Sequence, residues 1–236
     1  MKHIYTIVLF ILFSTSQLYG AQQGKHLFIL SGQSNMVLLN TKSSFTPTLA
    51  KFFGKNNIIV VKDAEGAQPI RRWCKKWRPL PGEAKDVAGD LYDRLMRKVK
   101  AAIQGKQIVT VTVIWMQGES DAKEKLGNVY MARLKGLIDQ FRSDFGKIDI
   151  NFVIGRLNDF DLKNKRFKHW TLVREAQVKV ADTDQHVSWI DTDDLNEGLR
   201  KGRQVKNNLH CSVEGIQKLG VRFAEKAIEM IQSNHH

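Results

Sequence analysis

Five short apolar, β-branched runs alternate with segments of helical period along this chain, and that alternation limits its fold more than any other feature. The runs are "HLFIL" at 26–30, "NIIVV" at 57–61, "IVTVTVIW" at 108–115, "INFVIG" at 150–155 and "HVSWI" at 186–190. Between them lie "GDLYDRLMRKVKAAI", "NVYMARLKGLIDQFRSDF" and "HWTLVREAQVKVA", and the chain closes with "VEGIQKLGVRFAEKAIEMI". Near-continuous apolar strands are buried on both faces, and a parallel neighbour is reached only through a crossover such as a helix. The pattern therefore predicts an α/β fold whose five-stranded parallel sheet is covered on both faces, with flavodoxin-like order as the leading topology.

At 236 residues the chain is long enough for one domain with its own core. Its first twenty residues have a basic start, an apolar stretch and a small-residue finish, the make-up of a secretory signal peptide. A membrane anchor is the alternative, but the apolar stretch falls short of the ~20 residues that span a bilayer. The expected organisation is a signal peptide over 1–20 and one domain over 21–236, secreted or periplasmic. The net charge of +13 suits anionic glycans, envelope polymers or nucleic acid, and export argues against nucleic acid. A solvated basic surface without a specific partner explains the charge equally well. Cys74 and Cys211 stand too far apart in sequence to establish a disulfide, and no zinc-type spacing occurs. Oligomeric state is not readable.

In open parallel sheets, ligands bind beyond the carboxyl ends of the strands. The segments just past the five predicted strands are "SGQSNM", "KDAEGAQPIRRW", "MQGESD", "RLNDFD" and "DTDDL" with "NNLH". Three stretches read as irregular, 36–50, 63–89 and 192–209, and loops of such length usually carry function or are disordered.

Acyl transfer needs a nucleophile, a base and oxyanion donors, and this edge offers one of each. Ser34 lies at a strand-to-helix turn where its hydroxyl projects and its N–H can face an oxyanion; serine is also an ordinary helix cap. His210 is the histidine beyond the final strand, on the same edge, whereas a lone histidine is more often a surface or core residue. Gly66, through its N–H, and Gln117, through its side-chain amide, are candidate oxyanion donors, each also readable as a plain turn or capping residue. Arg71, Arg72, Trp73 and Trp77 follow the second block and offer charge and stacking surface for a sugar; solvated charges and packing aromatics are the plain alternative.

The set "GQSNM", "EGAQPIRRW", "WMQGESD" and "NLHCSVEGIQKLGVRFAEKA" resembles the SGNH-hydrolase superfamily, and more narrowly the sialate O-acetylesterase-like domain related to carbohydrate esterase family 6. The resemblance implies a three-layer α/β/α fold and a metal-free, cofactor-free serine esterase. It makes Ser34 the nucleophile and His210 the base, with Gly66 and Gln117 lining the oxyanion hole. One departure stands out. The family usually carries an aspartate three residues before the histidine, and here that place holds Asn207. An amide can orient an imidazole but brings no charge to stabilise imidazolium; in a serine protease triad, the same aspartate-to-asparagine change lowers kcat ~10⁴-fold, partly through the wrong tautomer. Asp191, Asp193 and Asp194, just past the fifth strand, are the nearest substitutes.

The expectation is an exported esterase removing O-acetyl groups from a carbohydrate, anionic or neutral, through an acyl-enzyme. The alternatives are a catalytically weak glycan-binding protein with an esterase-like cleft, and an esterase for lipid or thioester substrates.

Overall fold

The structure, a computed structural model, describes residues 24–76, 78, 88–146 and 149–233. The expected signal segment and Trp77 lie outside the described residues. Five parallel strands, β1 (Lys25–Gly32), β2 (Ile58–Ala64), β3 (Ile108–Met116), β4 (Asn151–Gly155) and β5 (Val187–Ile190), form one sheet in the order β2-β1-β3-β4-β5. That is the flavodoxin-like order, with its switch point where β1 lies between β2 and β3.

Side chains alternate across β1 and so feed two cores. Leu27 and Ile29 pack with α3 (Asp90–Ile103), α5 (Gly127–Phe145) and α6 (Trp170–Asp182) on one face. Phe28 and Leu30 pack with α1 (Ser34–Leu38), α2 (Phe45–Phe53) and α7 (Val213–Ser233) on the other. Full burial of each such side chain is worth about 1.5–3 kcal/mol relative to exposure. The three layers follow from the strands being apolar on both faces.

The predicted irregular stretches are partly ordered. Residues 36–50 contain the start of α2, whose Phe45, Leu49 and Phe53 recur every fourth position and meet the second core. The stretch 192–209 holds a hairpin of β6 (Gly198–Arg200) and β7 (Arg203–Val205). A short helix, α4 (Glu119–Lys123), opens directly after β3. Cys74 and Cys211 are buried, unpaired and assigned to opposite faces of the sheet, which rules out a bridge between them. Burial pushes both thiols up to about 12. Among the described residues, no helix is long and apolar enough to cross a membrane.

Candidate active site

The motif "SGQSN" is held from three sides. Ser31 and Gly32 still belong to β1, with Gly32 level with Ala64 of β2 and Met116 of β3. Gly32 has φ 139°, and a Cβ there would sit 2.0 Å from the Met116 carbonyl oxygen, so only glycine allows the two strand ends to close up. The Gln33 N–H then donates to Met116 O at 2.8 Å, and the Glu65 N–H donates to Gly32 O at 3.0 Å. Gln33 and Asn35 are buried, while Ser34 between them is part-exposed. The amides thus fix the turn, and the serine is the residue the turn presents. Lys62 of β2 reinforces it from below, its ammonium donating to the carbonyls of Met36 and Val37 at 2.9 and 3.0 Å, where α1 leaves acceptors unsatisfied.

Asn35 connects this turn to the segment bearing His210. Its Oδ1 accepts from the Cys211 N–H at 3.0 Å, and its Nδ2 faces Leu209 O at 3.4 Å, so one side chain grips the chain on both sides of His210. Asn158, buried past β4, donates to the carbonyls of Asn208 and Leu209 at 3.3 Å each. Asn208 in turn accepts from the His210 N–H at 3.0 Å. The first and last segments of the domain, 176 residues apart at the Asn35–Cys211 bond, are side by side on the sheet edge.

No carboxylate bonds to this imidazole among the described residues. Burial lowers the His210 pKa below the usual 6.5, and the positive charges of Arg200 and Lys201 lower it further. Asn207 is exposed with φ 47°, a left-handed conformation asparagine tolerates, and its amide makes no hydrogen bond to the ring. The three expected substitutes are engaged elsewhere. Asp191 pairs with Arg156 at 2.7 Å, Asp193 with Arg156 and Arg174 at 2.8 and 2.6 Å, and Asp194 with Arg222 at 2.6 Å.

The two backbone oxyanion candidates are open, and the side-chain candidate is not. Neither the Ser34 nor the Gly66 N–H donates to a protein acceptor among the described residues. Gly66 follows the Glu65–Gly32 bond directly, and a Cβ there would meet nothing within 4 Å. Gln117, by contrast, is fully buried with both amide hydrogens engaged, on Gln68 O at 3.1 Å and Asp121 Oδ2 at 2.5 Å. Its Oε1 accepts from the Tyr130 hydroxyl at 3.1 Å. In this arrangement Gln117 is a strut tying the second block to the third, with no hydrogen left for an oxyanion.

Arg71, Arg72 and Trp73, the residues expected to hold a sugar, each have a partner within the protein. Trp73 is 1% exposed, donates from Nε1 to Ser31 Oγ at 2.9 Å and packs edge-on against Trp115 at 5.2 Å. It supports the strand beneath Ser34 and has no free face for a sugar. Arg71 pairs with Glu124 at 2.7 Å, and Arg72 forks onto both oxygens of Asp90 at 2.7 Å each, anchoring the loop after β2.

Sequence reasoning passes over the two acids of "QGESD". Glu119 is 2% exposed, accepts from Asn35 Nδ2 at 3.2 Å through one oxygen and leaves the other buried without a partner. Burial raises its pKa to about 7. Asp121 accepts from the Ile70 N–H at 2.9 Å and from Gln117, and burial raises it to about 6. The available signal is their position: acids immediately past a strand whose carboxyl-terminal two-thirds is buried are drawn beneath the surface with it.

The chain's relatives agree with this architecture. The family model described as carbohydrate esterase, sialic acid-specific acetylesterase, matches residues 39–229, beginning after Ser34. No curated protein matches the sequence significantly. Among solved structures, a protein of Arabidopsis thaliana is 18% identical with a TM-score of 0.64, the alignment covering 87% of this chain and 98% of that one. Est24, a carbohydrate acetylesterase from Sinorhizobium meliloti, is 14% identical with a TM-score of 0.56, covering 87% and 100%. NanS is 12% identical with a TM-score of 0.62, covering 89% and 99%. At such identities the structures speak for the fold, and it is the family match, running through four of the five sheet strands, that places this chain among the sialic acid-specific acetylesterases of the carbohydrate esterases.

Proposed function

We propose that this protein is an exported serine esterase that removes O-acetyl groups from carbohydrate. The observation that carries the reading is the Asn35 clamp: the residue after Ser34 holds the backbone on both sides of His210, beside a serine left part-exposed between two buried amides. The N-terminal segment 1–20 supports export to a periplasm or beyond the cell, leaving 21–236 as the working domain.

In this mechanism Ser34 Oγ attacks the acetyl carbonyl as His210 takes its proton. The N–H groups of Ser34 and Gly66 receive the developing oxyanion, each such donor being worth about 2.7–4 kcal/mol of transition-state stabilisation. The bond from carbonyl carbon to sugar oxygen then breaks, the sugar oxygen takes the proton from His210, and acetyl remains on Ser34. Water attacks the acetyl-serine with His210 again as base, releasing acetate and restoring the serine. Because His210 has a lowered pKa, it is neutral and ready to accept at neutral pH.

The test is purified protein on an aryl acetate, with burst release of the phenol followed by turnover. Ser34→Ala is expected to abolish both, and equal rates for the two proteins would remove the enzyme reading. Acetate release from acetylated polysaccharides against octanoyl esters then separates the carbohydrate assignment from a lipid one.

A second reading, a glycan-binding protein with weak catalysis, draws on the acid-free imidazole. It predicts sugar binding by both wild type and Ser34→Ala, with wild-type acetate release only slightly above the uncatalysed rate.

A further inference from the structure

The β6–β7 hairpin is built against its own electrostatics. Its sequence "GLRKGRQVK", residues 198–206, carries Arg200, Lys201, Arg203 and Lys206 and no acid. Arg200 and Arg203 stand directly opposite each other in the antiparallel register, a like-charge pairing that destabilises a two-stranded ribbon. Lys201 and Gly202 form the two-residue turn, both at positive φ (50° and 72°), which suits a type I′ turn but puts a lysine where glycine or asparagine is preferred. Among the described residues, none of the four cations has a carboxylate partner. Arg71, Arg72, Arg94, Arg156, Arg174 and Arg222 each have at least one.

The hairpin is anchored beside His210. The Asn208 N–H donates to Asn196 O at 3.3 Å and the Ser212 N–H to Leu195 O at 2.8 Å, closing the loop at the residues that flank the histidine. A second basic segment is fastened to the same base. Asn196 Nδ2 donates to Asp159 Oδ1 at 2.9 Å, joining the hairpin to the loop after β4, whose 163–168 stretch carries Lys163, Lys165, Arg166 and Lys168. Asp159 and Asp161 of that loop stay charged while accepting from Asn196 and from the N–H groups of Lys165, Arg166 and Phe167 at 3.0, 2.8 and 2.7 Å, and Arg166 helps hold Asp161 ionised, so the four cations outnumber two anions. Even with Asp159 and Asp161 in the one and Glu197 just before the other, two loops of net positive charge thus border the side of the site that carries His210. One acidic sugar can neutralise only a small part of such a rim, whereas a chain of repeated anionic groups can engage both loops.

We propose that the 198–206 hairpin and the 163–168 loop form a binding rim for the anionic backbone of an acetylated polysaccharide, so that the substrate is a polyanionic glycan rather than a neutral one. The inference rests on the esterase reading, which supplies the ester at Ser34. The facing arginines suit carboxylate or phosphate groups through forked hydrogen bonds. The exposed charges of the rim also attract the polymer over about one Debye length, ~10 Å at 0.1 M salt.

The experiment compares kcat/KM on O-acetylated polygalacturonate, O-acetylated xylan of neutral backbone and 4-nitrophenyl acetate, each polymer rate being divided by the aryl acetate rate. The wild type is expected to favour the polyuronate, and to lose that preference ~10-fold or more between ~50 mM and ~500 mM salt. Arg203→Gln/Lys206→Gln, which relieves like-charge repulsion and leaves Arg200 and Lys201 in place, is expected to lower the polyuronate ratio ~10-fold. Lys165→Gln/Lys168→Gln tests the second loop independently of any change in the hairpin. A wild-type preference that is absent or indifferent to salt overturns the proposal, as does its survival in both double variants.

Binding of de-acetylated polygalacturonate to Ser34→Ala gives a readout apart from catalysis. If no form releases acetate, yet Ser34→Ala binds the polymer and loses it on the hairpin substitutions, the rim stands and the esterase reading falls. Equal affinity through the same residues for duplex DNA or anionic phospholipid vesicles overturns the glycan assignment.

Discussion

Glu119→Gln isolates the consequence of burying a carboxylate behind the serine turn. In the folded protein Glu119 is 2% exposed and half-bonded, and burial holds its pKa at about 7 against an ordinary 4.5. The unfolded chain releases the proton at the ordinary value, so between the two values the folded state binds more protons than the unfolded one. Stability therefore falls as pH rises through that window; the loss is absent below about 4 and complete above about 7. The gap corresponds to on the order of 3 kcal/mol. Glutamine keeps an oxygen for Asn35 Nδ2 and carries no charge, so the variant escapes this loss. Asp121, raised to about 6, titrates in the same direction in both proteins and largely cancels in the comparison. Urea unfolding from about pH 5 to about pH 8.5 is the assay. The variant should come within ~1 kcal/mol of wild type at the acid end and exceed it by up to ~3 kcal/mol at the alkaline end. A difference between the two proteins that does not change with pH would falsify the buried-carboxylate account.

Other perturbations probe the supports of the site. Gly32→Ala drives a methyl group into Met116 O, so the variant should lose several kcal/mol or fail to fold, and normal thermal stability would contradict the close approach. Trp73→Ala removes a buried indole and its bond to Ser31; it should cost about 3–5 kcal/mol in denaturant unfolding, while a changed affinity for sugar at unchanged stability would restore a stacking role for the indole. Asn207→Asp supplies a carboxylate three residues before His210. Activity should rise and the acid limb of kcat/KM should move to higher pH, because a nearby anion favours imidazolium; an unmoved limb means the new side chain does not reach the ring.

Much of the fold is legible because it is periodic. The five strand runs are largely apolar and alternate with helical segments, and together those two features call for helices on both sides of a parallel sheet. The helix over Phe45–Phe53 escapes a sequence reading because the polar start of the stretch 36–50 looks like a loop, although Phe45, Leu49 and Phe53 fall one turn apart. The hairpin at 198–205 escapes it because strands of three residues carry too little alternation to stand out.

For the site, the sequence by itself determined which residue types reach the carboxyl edge: strand ends are local, and Ser34, Gly66, Gln117 and His210 follow directly from where the runs and the last helix lie. Only the tertiary structure decided what those residues are free to do. Hydrogen-bond capacity is finite, and it is allotted by contacts between segments far apart in the chain. Asn35 finds Cys211 across 176 positions, Gln117 gives both hydrogens to Gln68 and Asp121, Trp73 turns inward to Ser31, and the three aspartates after β5 go to arginines. Those allotments depend on distances that no local pattern encodes, which is why the sequence could nominate the site's residues and only the packed molecule could assign their partners.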